Sequence, residues 1–380
     1  MHTIKLLLAI CLALLGFAQA QVKLERLATG LLNPRGVVVL SPDELIVVEA
    51  GSGNQARQDG KISRFSDHNQ DGDFDDAGER KVLLESLPSY NGLYTFGTGH
   101  DEVGGASDII WANNQLYFTF DNPKTSYLAD GLENDIRVQA LSLDGKLGKT
   151  LVRRSVTLNS LSYNPENQTF YVVESGSNSL LKAKAGETFE YLTLFLPLAH
   201  GQQAVPAAVA LDPTNGDVLV ALFSGQVFNG SDFDSYFPGD SKVVRIDAVT
   251  GEQRDEITGL TTAVDLVLDE QGNIFVLELT SGEPLEKLEA DFPLYDLQVL
   301  PLPGGYPRQS GRLSLYKKGE KEPVVLLENL DAPSNLSYAQ GAIYISTGQG
   351  TPGRYVMTEA AETFQIEGEI LRLTGLETTK

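Results

Sequence analysis

Six times along the chain an apolar stretch, a tight polar turn and a second apolar stretch follow one another. The pairs are VVVL…LIVVEA (37–50), DIIW…LYFTFD (108–121), SLSY…FYVVES (160–175), AVAL…VLVALF (208–223), DLVL…IFVLEL (265–279) and NLSY…IYISTG (335–348). β-Branched and aromatic residues at period two make each stretch a strand. The turns include Ser41-Pro42-Asp43-Glu44, Asn113-Asn114 and Gln340-Gly341; Pro fixes φ, and Asn and Gly tolerate positive φ. A third strand and usually a fourth follow each pair, as in KISRF (61–65) with KVLLESL (81–87). Such units, recurring at about 60 residues, are propeller blades. The expected fold is therefore all-β: a six-bladed β-propeller of four-stranded antiparallel blades over residues 21–380. Short helices are expected only at 286–292 and 357–364.

The last repeat lacks a fourth strand, because the chain stops after EILRLTG (369–375). An orphan strand stands instead at the other end, in VKLERLATGLLNP (22–34), which matches PVVLLENLDAP (323–333) in pattern. Residues 22–28 are expected to complete the last blade, which pairs the open sheet edge. Residues 1–20 lie outside this scheme. Lys5, the apolar run 6–18 and Ala18-Gln19-Ala20 form the n-region, h-region and small-x-small site of a secretory signal peptide. Cleavage after Ala20 predicts a secreted or periplasmic protein without stable membrane insertion. It would also remove Cys11, the single cysteine, so no disulfide is available.

With 42% hydrophobic residues the chain can build a sizeable core. Its net charge of −22 makes nucleic acid a poor partner. The expected partner is a small molecule or extracellular ligand, bound by a monomer.

Aligned repeats place Gly36, Asp108, Ser160, Ala208, Asp265 and Asn335 in one column at the start of the innermost strand. Glu49, Phe120, Glu174, Leu222, Glu278 and Thr347 form a second column at the end of the second strand. Both columns are expected to ring one channel mouth. Asp108, Asp265, Asn335 and the three glutamates would then form a largely acidic site, with Arg35 beside it. Such a cluster either raises its members' pKa values or binds a cation. The longest connections fall on the same face: 88–107, 121–135, 224–241, 281–311 and 348–368. Long loops on a compact fold commonly carry function. Segment 228–240 sets Phe228, Phe233, Tyr236 and Phe237 beside Asp232 and Asp234, which suits an apolar or sugar-like ligand, and 281–311, with Phe292, Tyr295 and Tyr306, is a candidate lid. His100 and His200 lie on this side as candidate general bases. The chain has no Gly-x-Ser-x-Gly elbow, P-loop or His-Glu-x-x-His motif.

The sharpest short motif is DHNQDGDFDD (67–76). Asp67, Asn69, Asp71 and Asp75 stand at alternating ligand positions, Asp73 would offer its carbonyl, and Gly72 makes the turn. Oxygens so spaced converge on one hard cation and favour Ca²⁺. The loop joins the third and fourth strands of the first blade, on the face away from the mouth, so a structural ion is expected.

The segments GLLNPRGVVVLSPDELIVVEAGSG (30–53), AVPAAVALDPTNGDVLVALFSG (204–225), TTAVDLVLDEQGNIFVLEL (261–279) and ISTGQGTPG (345–353) resemble the ScyD/ScyE family of exported propellers. The resemblance covers nearly the whole mature chain. It implies an NHL-like six-bladed propeller with a binding or scaffold role, and no catalytic residues to carry over. A more distant similarity, at the level of fold, is to calcium-dependent lactonases of the gluconolactonase type. It implies an alternative in which a cation at the mouth polarises a carbonyl and activates water.

Overall fold

The computed structural model describes residues 22–91, 101–122, 136–225, 227–229, 232–234, 236–284, 306–320, 322–357 and 363–376. It is a six-bladed propeller. Its blades, written from inner to outer strand, begin with Pro34–Ser41, Glu44–Glu49, Gly60–Ser66 and Arg80–Leu87. The second blade is Val103–Ala112, Gln115–Phe120, Ile136–Leu141 and Leu147–Arg154; the third is Leu158–Asn164, Thr169–Glu174, Ser179–Lys184 and Glu190–Leu194. The fourth is Pro206–Leu211, Val218–Leu222, Ser241–Ile246 and Gln253–Leu260; the fifth is Ala263–Leu268, Ile274–Glu278, Gly311–Tyr316 and Val324–Leu330. The sixth is Asn335–Ala339, Ala342–Thr347 and Gly368–Thr374, closed on the outside by the N-terminal strand Lys23–Leu31.

Patterning explains the order of strands. Second strands such as TFYVVE and AIYIST are buried at every residue, because both faces of a blade pack against neighbouring blades. Outer strands such as VVLLENL are exposed or half-buried along most of their length. The core accordingly lies between blades. One apolar cluster joins the first and second blades through Ile46, Val48, Ile109 and Phe118. Further clusters fill each remaining interface round the ring. Every pairing of a third with an outer strand carries a register shift, which strengthens the twist at the rim. The expected Asn113-Asn114 turn is present, with φ of 49° and 60°, the conformation a tight hairpin needs.

Closure runs as the orphan strand implied, and further. Lys23 pairs with Thr374, Arg26 with Leu371 and Ala28 with Ile370, and the strand continues to Leu31. Asn33, fully buried at φ 53°, adds a second lock. Its amide donates to the Gly51 and Gly350 carbonyls, and its Oδ1 accepts from Gly350 N at 2.8 Å. The helix expected at 357–364 is not formed at its described ends: Met357 and Thr363 pair as strands of a small hairpin. The 286–292 expectation, residues 285–305 of the candidate lid and the signal segment lie outside the described residues. Among the described residues no helix is long and apolar enough to cross a membrane.

Candidate functional site at the channel mouth

The first column of aligned residues does meet round the axis, and its chemistry is hydrogen bonding between blades. Asp108, Ser160 and Asp265 each accept from the amide that follows the column position in the next blade. Asp108 Oδ2 accepts from Leu161 N at 3.0 Å, Ser160 Oγ from Val209 N at 3.3 Å and Asp265 Oδ2 from Leu336 N at 2.5 Å. Gly36 has no side chain to offer, and a Cβ there would stand 2.6 Å from Ile109 N. Asp108 makes up the deficit with its other oxygen, which accepts from Ile109 N at 2.8 Å. Asp265 does the same for Leu266 N after Ala208. Burial raises both carboxyls, and the charge of Asp108 pushes Asp265 further up.

The second column goes elsewhere. Second-strand side chains project toward adjacent blades and not toward the axis, so Glu49, Glu174 and Glu278 do not line the cavity. Glu49 pairs with Lys61 at 3.4 Å and accepts from Leu32 N. Glu278 pairs with Arg312 at 2.6 Å and accepts from Thr261 N. Glu174 pairs with Arg154 of the preceding blade at 3.1 Å. The acidic ring expected from the alignment is therefore divided into ion pairs. Burial raises the Glu49 carboxyl even so, with Lys61 opposing it.

Above the aspartate girdle lies a cavity of about 450 Å³ to which all six blades contribute. Arg35, Asp265 and Asn335 line it as the sequence suggested, with Ser160 from the same column. One wall is aromatic and apolar. Tyr236 and Tyr306 stack with centroids 5.3 Å apart, Phe223 meets Tyr306 edge-on at 5.8 Å, and Leu279, Val205 and Val264 continue the surface. Both loop tyrosines thus come to the mouth, whereas Phe237 leaves it to stack on His200.

The facing wall is polar, and alignment missed most of it. Arg35 Nη2 donates to the Val103 carbonyl at 2.7 Å, and Gln349 Nε2 reaches the same oxygen. Tyr90 donates to Asp121 Oδ2 at 3.1 Å. Burial pushes the Asp121 carboxyl up to about 6, with the nearby Thr157 and Tyr90 hydroxyls opposing it. Burial likewise lowers Arg35 and raises Tyr90 and Tyr306, leaving both phenols protonated. Three buried atoms here have no hydrogen-bond partner among the described residues: Arg35 Nε, Asp121 Oδ1 and Gln349 Oε1. The one sequence signal for Asp121 was a carboxylate directly after a second strand, where the other blades carry Ala50, Ser175, Phe223, Leu279 and Gly348.

His200 sits off the cavity, exposed, against Asp240. His100 lies outside the described residues. On the opposite face, the Asp-rich loop departs from a simple ligand array. Asp67 accepts from Gln70 N and Gly72 N. Asp73 Oδ1 accepts from Asp75 N at 2.9 Å. Asp75 turns toward the N-terminal strand, accepts from Thr29 N and Oγ1, and pairs with Arg80. The Asn69 amide nitrogen stands between Asp71 Oδ2 and Asp76 Oδ2. The charge of Asp71, with smaller contributions from Glu79 and Asp73, raises the Asp76 carboxyl. Among the described residues no three acidic or histidine side chains converge to metal-ligating distance.

Fold and mouth together define a class: six-bladed β-propellers with a closed N-terminal strand and a cavity at the top of the central channel. No protein-family model and no curated protein sequence matches the chain. Solved structures match its fold. A luciferin-regenerating enzyme is 11% identical with a TM-score of 0.54, covering 94% of this chain and 96% of its own. The gluconolactonase XC5397 of Xanthomonas campestris is 11% identical with a TM-score of 0.53, covering 94% and 90%. A putative glucose dehydrogenase from a Thermus species is 13% identical with a TM-score of 0.51, covering 93% and 100%. At these identities the likeness is one of architecture.

Proposed function

We propose that the chain is an exported binding propeller of the ScyD/ScyE type, with a small-molecule site at the channel mouth and a structural Ca²⁺ at the Asp67–Asp76 loop. The observation that carries the reading is the two-sided mouth cavity, in which aromatic rings face buried polar atoms that lack partners. Pre-formed concave sites with a few convergent polar groups are where small ligands bind. Residues 1–20 support export. Calcium at the loop is supported by its alternating oxygen donors, by the raised Asp76, and by the Asn69 amide donor standing between two carboxylates as a cation would. Asp67, Asn69, Asp71, Asp76 and the Asp73 carbonyl are the groups that would hold it. The hydrolase alternative needs carboxylates aimed at one mouth cation. Here the three glutamates are ion-paired and the two column aspartates accept backbone amides, so binding is the better-supported reading.

Counting bound calcium after dialysis tests the metal assignment. The binding reading expects a single ion, lost in Asp71→Ala and kept in Asp265→Ala. A second ion lost with Asp265→Ala, together with metal-dependent turnover of lactones, would replace it with the hydrolase.

A further inference from the structure

The mouth cavity holds more acid than base. Glu102, Asp121 and Asp265 line it, and Arg35 is the one basic side chain among the described lining residues. Arg35 is already answered: the charge of Glu102 acts on its guanidinium, and Glu102 also accepts from the Tyr306 hydroxyl. The hydroxyls of Thr157 and Tyr90 offset burial at Asp121, and the amides of Leu336 and Leu266 do so at Asp265. Neither set includes a cation.

Two acceptors on the same lining are open. Asp121 is 3% exposed and Gln349 5%, and neither Asp121 Oδ1 nor Gln349 Oε1 has a donor among the described residues. They belong to one wall. Tyr90, which donates to Asp121, feels the charge of Arg35, and Arg35 shares the Val103 carbonyl with Gln349. Arg35 Nε also lacks a partner, but the guanidinium charge is met by Glu102. Phe223, Tyr236 and Tyr306 supply the aromatic wall of the same cavity.

A buried carboxylate without a cation is costly, and a ligand that brings the cation relieves it. A ligand anion would add to the excess of acid. A neutral ligand would bond to the open oxygens and leave the charge uncompensated. A divalent metal needs several oxygens converging on one point. Asp265 has both of its oxygens on backbone amides, and Asp121 gives one of its own to Tyr90. An organic ammonium needs only one carboxylate and a neighbouring acceptor. Its apolar body would cover the rings, whose faces also attract positive charge.

Resting on the binding reading above, we propose that the mouth takes a primary amine carried on an aromatic body, with its ammonium on Asp121 and Gln349 and its ring against Phe223 and Tyr306. A cavity of about 450 Å³ accommodates a molecule of that kind.

Isothermal titration of the full mature protein, with calcium present, compares phenethylamine, the alcohol 2-phenylethanol and the anion 3-phenylpropanoate. The three share one body and differ in charge. Phenethylamine should bind at least about tenfold more tightly than the alcohol, and the anion most weakly of all. Asp121→Asn should weaken the amine by about tenfold or more and leave the alcohol unchanged. Asp121 ionises at about 6, and only its charged form attracts an ammonium. The amine's affinity should therefore rise about tenfold between about pH 5 and pH 7 and level off above, and Asp121→Asn should show no such rise. Phe223→Ala should weaken amine and alcohol alike, which places the ring. Melting curves on both variants separate lost binding from lost folding.

An amine that binds no more tightly than the alcohol, or is indifferent to Asp121→Asn, overturns the proposal. So does displacement of the amine, at constant ionic strength, by calcium beyond that held at the Asp-rich loop, since the mouth would then be a metal site. Alcohol binding that Phe223→Ala abolishes would in that case leave the cavity reading standing without this ligand class. If none of the three molecules binds, the cavity reading falls as well.

Discussion

Asp121 and Asn33 are both buried polar residues, and they do opposite things to the fold. Asn33 uses both amide hydrogens and a lone pair of Oδ1 on Gly51 and Gly350. Replacing it with Ala strands two carbonyls and an amide and puts a Cβ-bearing residue without local support at φ 53°. Asn33→Ala should therefore lower stability by about 3 kcal/mol in denaturant unfolding. Asp121 Oδ1 is buried without a hydrogen-bond partner among the described residues. Its folded pKa of about 6 lies above the ordinary 3.8, so the folded chain holds a proton that the unfolded chain gives up between those values. Stability should fall as pH rises across that window and carry the full penalty above it. A displacement of this size is worth about 3 kcal/mol as an upper bound. Asp121→Asn should raise the melting temperature at mildly alkaline pH and flatten the profile between about pH 4 and pH 6. An unchanged profile would show that the carboxyl is solvated in solution.

Among elements, the N-terminal strand carries much weight for its length, since it supplies the outer strand of the sixth blade from the chain's beginning. Leu27, Ala28 and Leu31 are buried in the cluster between the last and first blades. The Asp-rich loop grips the same strand from outside. Phe74 N donates to Leu27 O at 2.7 Å, Asp75 holds Thr29, Arg80 reaches the Thr29 carbonyl, and Phe74 is buried beside Phe65. Leu27→Ala should cost about 3 kcal/mol through the cavity it leaves. On the proposed calcium assignment, a chelator should destabilise the same closure, seen as faster amide exchange at residues 23–31 than in any inner strand. Exchange that is uniform across the blades, or unaltered by the chelator, would disconnect the loop from the closure.

At the scale of the whole molecule, a charge of −22 on a ring held without disulfides means that self-repulsion works against the fold. Added monovalent salt, at saturating calcium, should raise the melting temperature by screening that repulsion. A fall would mean that ion pairs such as Arg245 with Asp212 and Glu256 outweigh it. The ring also shows a halving that the blade count hides. Gly36, Asp108 and Ser160 in three consecutive blades are answered by Ala208, Asp265 and Asn335 in the next three. In each half the aspartate follows a residue without a side-chain acceptor and serves two amides in its place.

Local pattern was enough to count the blades, place the tight turns and find the strand that closes the ring. Period-two burial and turn chemistry are properties of neighbouring residues, and six imperfect copies reinforce one another. The same alignment identified the column that meets at the axis, and with it Arg35, Asp265 and Asn335 at the mouth. It could not tell which way a side chain leaves its strand. Glu49, Glu174 and Glu278 stand at equivalent positions, yet they pair with Lys61, Arg154 and Arg312 on the flanks of their blades and not at the axis. Nor could it join Tyr90, Asp121, Arg35 and Gln349, whose separations along the chain run to hundreds of residues. Only closing the circle brings its first and last blades together, and the unpaired atoms of the cavity exist only once that has happened.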